Sequence, residues 1–94
     1  DLDNFKRIND THGHRVGDQV LQIAADLLRR NSRAADFVLR WGGEELLVIG
    51  HETGRDGAHA WATRIVESFR AHAFETDVGV LRVTCSIGHA VYPM

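Results

Sequence analysis

A glycine pair between two apolar runs constrains the fold of this chain more than any other feature of its sequence. Gly42-Gly43 separates residues 37–41 from residues 46–49. Glycine adopts the backbone angles that a tight connection between antiparallel strands requires, so the pattern predicts a hairpin. Glu44-Glu45 follows the glycines directly, and two carboxylates would therefore lie together at the hairpin tip.

Hydrophobic periodicity predicts helices on both sides of this hairpin. Apolar residues recur at helical spacing over residues 17–31 and 56–72, and a shorter helix over residues 4–11 ends at Gly13. The alternation over residues 81–87 predicts a strand with one buried face. This order of elements indicates an α+β fold, in which helices pack on an antiparallel sheet.

A second group of acids opens the chain. Asp1 and Asp3 flank Leu2 ahead of the short helix. Mg²⁺ binds hard oxygen ligands and usually takes one or two carboxylates together with phosphate oxygens. Acids brought together from the two places would form a divalent-cation site. The alternative is that they are ordinary helix-start and solvent-facing acids.

Composition disfavours several classes of function. The 11 basic and 13 acidic residues are intermixed and give a net charge of −2, so no basic stripe marks a nucleic-acid partner. The single cysteine, Cys85, has no internal partner for a disulfide, which favours a cytoplasmic location. No apolar run is long enough to span a bilayer, and any membrane anchor would lie outside these residues.

Four motifs in order resemble those of the GGDEF family, the bacterial diguanylate cyclases. They are DLDNFK at residues 1–6, NDTHGHRVGD at 9–18, GGEEL at 42–46 and SIG at 86–88. The resemblance covers the whole chain and implies a fold similar to the ferredoxin-like palm of nucleotide cyclases and polymerases. It also implies that residues 1–94 are part of a single domain that is truncated at both ends. Leu46 stands where the family has phenylalanine, an apolar exchange that should alter packing and not metal chemistry.

The resemblance implies a reaction and its participants. Diguanylate cyclases condense two molecules of GTP into the bacterial second messenger cyclic di-GMP, with loss of pyrophosphate. Each subunit of a homodimer holds one GTP, and the cofactor is Mg²⁺, for which Mn²⁺ can substitute. An N-terminal sensor domain is expected in the full-length protein.

The family's metal-binding and catalytic residues carry over onto the acids. Asp1, Glu44 and the main-chain carbonyl of Leu2 match metal ligands. Glu45 would be a further ligand or would help to deprotonate the attacking 3′-hydroxyl, which a metal also acidifies. Lys6 would add positive charge near the phosphates.

The substrate-binding residues carry over in the same way. Asn9 and Asp18 match the pair that reads guanine, an amide and a carboxylate that suit its donor and acceptor groups. Main-chain N–H groups near Asn4 and Phe5, at a helix start, would meet the β- and γ-phosphates. Gly42-Gly43 would pass close to the ribose and the α-phosphate. Alternatively, Asn9 is a polar interior residue and Asp18 caps the long helix.

Residues 33–36 (RAAD) precede the glycine pair at the offset of the family's inhibitory RxxD site. There, Arg33 would grip the phosphate and guanine of the product and Asp36 would contact the base. Arg64 is a further partner, from the same or a neighbouring subunit. Taken alone, Arg33 and Asp36 could be a solvated surface pair.

Two other functions stay open at the level of sequence. The domain could be a non-catalytic module that senses GTP or cyclic di-GMP, although the acids at positions 1, 44 and 45 are intact. It could also be a related cyclase or polymerase palm that acts on another nucleotide. The combination of Asn9 with Asp18 disfavours that reading.

Overall fold

The computed structural model describes residues 2–31, 35–40, 45–50 and 55–88. Helices and strands follow in this order: α1 (Phe5–His12), α2 (His14–Asn31), β1 (Ala35–Arg40), β2 (Leu46–Gly50), α3 (Arg55–Ala71), β3 (Phe74–Thr76) and β4 (Gly79–Leu81). The strands pair as two antiparallel sheets, β1 with β2 and β3 with β4. The α+β class predicted from the sequence is confirmed.

The predicted hairpin around the glycine pair is confirmed in its two strands. Arg40 lies opposite Leu46 and β1 runs antiparallel to β2, so residues 41–45 connect them. Asp36 is an extra residue in β1, because the pairing shifts register between Ala35 and Phe37. Such a bulge bends a strand and changes the direction of its side chains.

Gly13 lets the chain pass from α1 directly into α2. Its φ of 92° lies in the region that favours glycine, and its N–H donates to the carbonyl of Asn9 at 2.8 Å. As a result α2 begins at His14, earlier than the predicted residue 17. Asp18 therefore lies inside the helix, and the alternative in which it caps α2 is wrong.

The hydrophobic core lies between α2, α3 and the β3–β4 hairpin. The apolar residues predicted on both long helices are buried or half-buried, and the side chains of Val20, Ile65, Phe69 and Phe74 are almost fully enclosed. Burying one such side chain contributes about 1.5–3 kcal/mol. The core cluster consists of Leu2, Phe5, Val20, Leu21, Ala24, Leu27, Leu28, Ile65, Phe69, Phe74 and Val83.

The strand predicted over residues 81–87 is wrong in extent. Burial alternates as expected, with Val83 buried and Thr84 and Ser86 exposed, but β4 ends at Leu81. Beyond it, a single antiparallel bridge joins Cys85 to Leu2. A strand ladder needs a continuous partner, and the segment around Leu2 gives way to α1 at Phe5, so the pairing stays short.

Candidate functional site

The two residues predicted to read guanine lie on the two helices that cross at Gly17, α1 and α2. Asn9 lies on α1 and its amide contacts Gly17 on α2, since a Cβ built at Gly17 would meet the Oδ1 and Cγ atoms of Asn9. Asp18, exposed to solvent, is the next residue of α2. The Asn9 amide therefore packs against the residue that directly precedes Asp18, and an amide and a carboxylate are the groups that can read a base edge.

The side-chain oxygen of Asn9 has an unusual environment. Its Oδ1 atom is buried and accepts no hydrogen bond within the described part of the chain. Buried polar atoms are almost always paired, and an unpaired one costs about 1–3 kcal/mol. Within the described residues, packing against Gly17 therefore positions this oxygen, which has no hydrogen bond of its own.

The start of α1 is positively charged in several ways. Asn4 precedes the helix in the left-handed conformation, with φ 59°, and makes no side-chain capping bond. The first turn contains no acid and carries Lys6 and Arg7, both exposed. The dipole of a helix favours negative charge at this end. Uncapped N–H groups beside two cations therefore make a strong anion-binding feature.

Asp3 ties this helix start to the segment at residues 84–86. Its Oδ2 accepts a hydrogen bond from the Thr84 hydroxyl and its Oδ1 one from the Ser86 hydroxyl, both at 2.9 Å. Its main-chain N–H donates to the carbonyl of Thr84, also at 2.9 Å. Sequence motifs did not identify this role, because the partners are distant along the chain.

The backbone bridge beside Asp3 places Cys85 against Leu2. Burial raises the pKa of the Cys85 thiol above its ordinary value, and the Asp3 carboxylate acts in the same direction. The thiol therefore stays protonated at neutral pH and packs beside the core. Leu2 is itself buried, with 4% of its surface exposed. Packing of its side chain in the core therefore fixes the main-chain carbonyl that was predicted to bind metal.

The structure describes two of the predicted metal ligands, Leu2 and Glu45. Glu45 is exposed immediately before β2, and Leu2 is held as above. Asp1, Glu44 and the glycines at 42 and 43 lie outside the described residues. Within the described part, no three acids, histidines or cysteines are grouped closely enough to hold a metal. A carbonyl and a carboxylate are hard oxygen donors, so the chemistry of the described pair fits Mg²⁺.

The predicted inhibitory residues are only partly described. Arg64, exposed on α3, donates from Nη2 to the carbonyl of Asn31 at 3.1 Å. Asn31 ends α2 and stands two residues before Arg33 in the sequence, so Arg64 lies beside the end of α2. Arg33 and the side chain of Asp36 lie outside the described residues, although the backbone of Asp36 forms the β1 bulge.

Comparison with known proteins gives consistent matches. The family described as diguanylate cyclase, GGDEF domain, matches residues 1–94. Diguanylate cyclase DgcP of Pseudomonas aeruginosa is 42% identical over 88 residues, which are 94% of this chain and 13% of that protein. The cyclic di-GMP phosphodiesterase NbdA of the same species is 38% identical over 93 residues, 99% of this chain and 12% of that protein.

A solved structure gives the same result for the fold. The active GGEEF domain of a diguanylate cyclase from Vibrio cholerae superimposes with a TM-score of 0.76 at 35% identity, over 89% of this chain and 53% of that chain. The chain therefore belongs to the GGDEF family. It spans about an eighth of the length of the two curated relatives above. None of the helices in the described residues is both long and apolar enough to cross a membrane.

Proposed function

We propose that this domain makes cyclic di-GMP from two molecules of GTP, as the catalytic part of a diguanylate cyclase. The observation that carries the proposal is the α1–α2 crossing, where the Asn9 amide packs on Gly17 beside Asp18. The uncapped cationic start of the same α1 helix supplies the complementary feature for a triphosphate. The short helix α1 thus carries Asn9 as well as an anion-binding start, and α2 supplies Asp18 beside it, which suits a purine nucleotide.

Guanine recognition falls to Asn9 and Asp18. The carboxylate of Asp18 accepts from the ring N–H and the exocyclic amine of guanine, and the Asn9 amide adds a further hydrogen bond. Adenine does not present that pair of donors on the same edge. Selection of GTP over ATP follows from this difference.

The triphosphate is held by the start of α1 and by a divalent cation. Main-chain N–H groups near Asn4 and Phe5, with the ammonium of Lys6, bind the β- and γ-phosphates. Asp1, Glu44, Glu45 and the carbonyl of Leu2 would hold Mg²⁺, or Mn²⁺ in its place. When bound, the metal acidifies the attacking 3′-hydroxyl and offsets charge at the α-phosphate.

The reaction needs two subunits. The 3′-oxygen of one GTP attacks the α-phosphorus of the other, the bond to the pyrophosphate oxygen breaks, and Glu45 assists removal of the hydroxyl proton. Repetition at the second site closes the ring and releases the second pyrophosphate. One subunit holds only half of the reacting atoms, so the active form is a symmetric homodimer.

A second candidate is a non-catalytic module that binds GTP or cyclic di-GMP. The observation that favours it is the match to NbdA, a relative named as a phosphodiesterase, over 99% of this chain. A protein named for the breakdown of cyclic di-GMP has no evident need to make it. A GGDEF domain in such a protein is expected if some of these domains sense nucleotides. The acids at positions 1, 44 and 45 favour catalysis for the present chain.

The deciding experiment incubates the full-length protein with GTP and Mg²⁺ and separates the nucleotides by chromatography. We expect cyclic di-GMP and two equivalents of pyrophosphate from the wild type. Glu44→Ala and Glu45→Gln should lower the rate at least a hundredfold, because each removes a group from the metal site.

Glu67→Gln is the matched control, since Glu67 is an exposed acid on α3, a helix that carries none of the predicted metal or substrate residues, and its rate should equal that of the wild type. A folded wild type that binds GTP and yields no product would overturn the catalytic proposal in favour of the binding module.

A further inference from the structure

The α1–α2 crossing has no room for a side chain at position 17. A Cβ placed on Gly17 would lie 1.7 Å from Oδ1 and 2.8 Å from Cγ of Asn9, and 3.3 Å from Cζ of Phe5. Contacts below 3 Å require something to move. Because the clash is chiefly with the end of a polar side chain, the Asn9 amide is the group that would be displaced.

Backbone conformation does not explain the glycine. Gly17 lies within α2 and is not among the described residues with positive φ. Glycine inside a helix costs about 1 kcal/mol relative to alanine. A buried glycine at a helix crossing is therefore explained by the close approach of α1, and the nearest approach is that of the Asn9 amide.

The same contact is what orients that amide. Oδ1 of Asn9 is buried and has no hydrogen-bond partner in the described part of the chain. A side-chain amide without a bond at its oxygen is free to turn unless packing prevents it. The Gly17 backbone fills one side of the amide, and the oxygen is the end turned toward it. The amide nitrogen lies farther from Gly17 than the oxygen does, which suits it to donate to the base.

We propose that Gly17 is a positioning residue for base recognition: the absence of its side chain sets the Asn9 amide at the angle that reads the purine. The inference rests on the proposed function, in which Asn9 and Asp18 select guanine. Gly17 precedes Asp18 directly, so one backbone segment places both members of the pair. Gly17 itself makes no bond to the nucleotide.

A double-mutant cycle in the full-length protein tests this proposal. The variants are Gly17→Ala, Asn9→Ala and the combination, with dissociation constants measured for a non-hydrolysable GTP analogue and for its ATP counterpart. Gly17→Ala should weaken GTP-analogue binding about tenfold, the loss of one good hydrogen bond. Binding of the ATP analogue should change much less, so the preference for GTP falls. In the Asn9→Ala background, Gly17→Ala should have no further effect, since the displaced group is gone.

Gly88→Ala is the matched control. A Cβ at Gly88 meets nothing within 4 Å, so this variant should bind both analogues as the wild type does. Circular dichroism and thermal melting check that each variant is folded. If Gly17→Ala alone does not fold, the combined variant is compared with Asn9→Ala, and equal affinities are still required.

Two results would overturn the inference. In the first, Gly17→Ala binds both analogues as tightly as the wild type. In the second, the combined variant binds more weakly than Asn9→Ala, which would mean that Gly17→Ala acts through Phe5 or the fold. A wild type that shows no preference for the GTP analogue would overturn the guanine assignment itself, and the inference with it.

Discussion

Asp3 is the residue that fixes the turn between the buried Leu2 and the start of α1. Its carboxylate accepts from the hydroxyls of Thr84 and Ser86, one on each oxygen. Hydrogen bonds to a charged acceptor are stronger than neutral ones. One side chain therefore holds two groups of the proposed site. They are the carbonyl of Leu2, proposed to bind the metal, and the main-chain N–H groups after Asn4, proposed to bind phosphates.

Removing that side chain should loosen the turn. Asp3→Ala should lower the free energy of unfolding by about 1–2 kcal/mol, because both hydroxyls lose their acceptor. Asp3→Asn should be milder, since an amide can accept from one hydroxyl and donate to the other. Urea denaturation of the full-length protein measures the difference. Asp10→Ala, at an exposed acid of α1, is the control, and equal losses from Asp3→Ala and Asp10→Ala would contradict the role.

Single residues also show what local sequence motifs can and cannot predict. Local motifs predict Asn9 and Asp18 as a base-reading pair because both lie within one short run, and this role stays a prediction. They do not reveal the close approach of Asn9 to Gly17 or what Asp3 binds. Those answers depend on how α1 crosses α2 and on a segment more than eighty residues away along the chain, and neither is encoded in local spacing.

Among the elements, the β3–β4 hairpin is attached to the first turns of α2. Arg15 forms an ion pair with Asp77, with Nε and Oδ2 2.8 Å apart. The main-chain N–H of Asp77 donates to Oε1 of Gln19 at 3.0 Å. Gly79 closes the hairpin with a φ of 106°. The hairpin is thus linked to the helix that carries Gly17 and Asp18.

This attachment should depend on pH. A hydrogen bond with Gln19, and then the charge of Arg15, hold the pKa of Asp77 below its ordinary value of 3.8. The folded state favours the carboxylate, so its stabilising contribution is fully present above pH 3.8. It is lost as pH falls through the lower folded pKa. NMR titration of the Asp77 carboxyl should show this pKa, and Gln19→Ala or Arg15→Gln should raise it.

The matched control for that titration is Arg29→Gln. Arg29 pairs with Asp26 at 3.2 Å, one turn apart on α2, and its loss should leave the titration of Asp77 unchanged. High salt should weaken the contribution of Arg15, because exposed charges are screened. An Asp77 pKa at the ordinary value in wild type and in every variant would contradict the attachment.

The hairpin also marks the limit of pattern-based prediction for elements. Both long helices and the β1–β2 hairpin are predicted because their apolar periodicity extends over many residues. The strands β3 and β4 have only three residues each, too few for alternation to be read. Their stability comes from Phe74, which is fully buried against the helices, and from turn bonds such as Thr76 Oγ1 to the Gly79 carbonyl at 2.8 Å.

At the scale of the whole molecule, α2 connects the two proposed ligand sites. Its early turns carry Gly17 and Asp18, and its last residue, Asn31, receives Arg64 from α3. The helix axis between Asp18 and Asn31 is roughly 20 Å long. A rigid helix with one site near each end is a physical route by which product bound near Arg33 could influence substrate binding.

The proposed product inhibition can be tested at Arg64. Arg64→Ala should raise the concentration of cyclic di-GMP that half-inhibits the full-length enzyme about tenfold, because a guanidinium that grips phosphate or guanine is lost. Arg33→Ala should have a larger effect. The Michaelis constant for GTP should stay unchanged in both variants, since neither residue belongs to the substrate site.

Two controls separate a binding role of Arg64 from a structural one. Arg70→Ala removes another exposed cation of α3 and should leave inhibition unchanged. Ser68→Ala removes the other α3 contact to Asn31, a hydroxyl 3.5 Å from its Oδ1, and keeps the guanidinium. If Ser68→Ala relieved inhibition as much as Arg64→Ala, the effect would come from the end of α2. Relief by Arg64→Ala alone, with weaker direct binding of cyclic di-GMP, would place Arg64 in the inhibitory site.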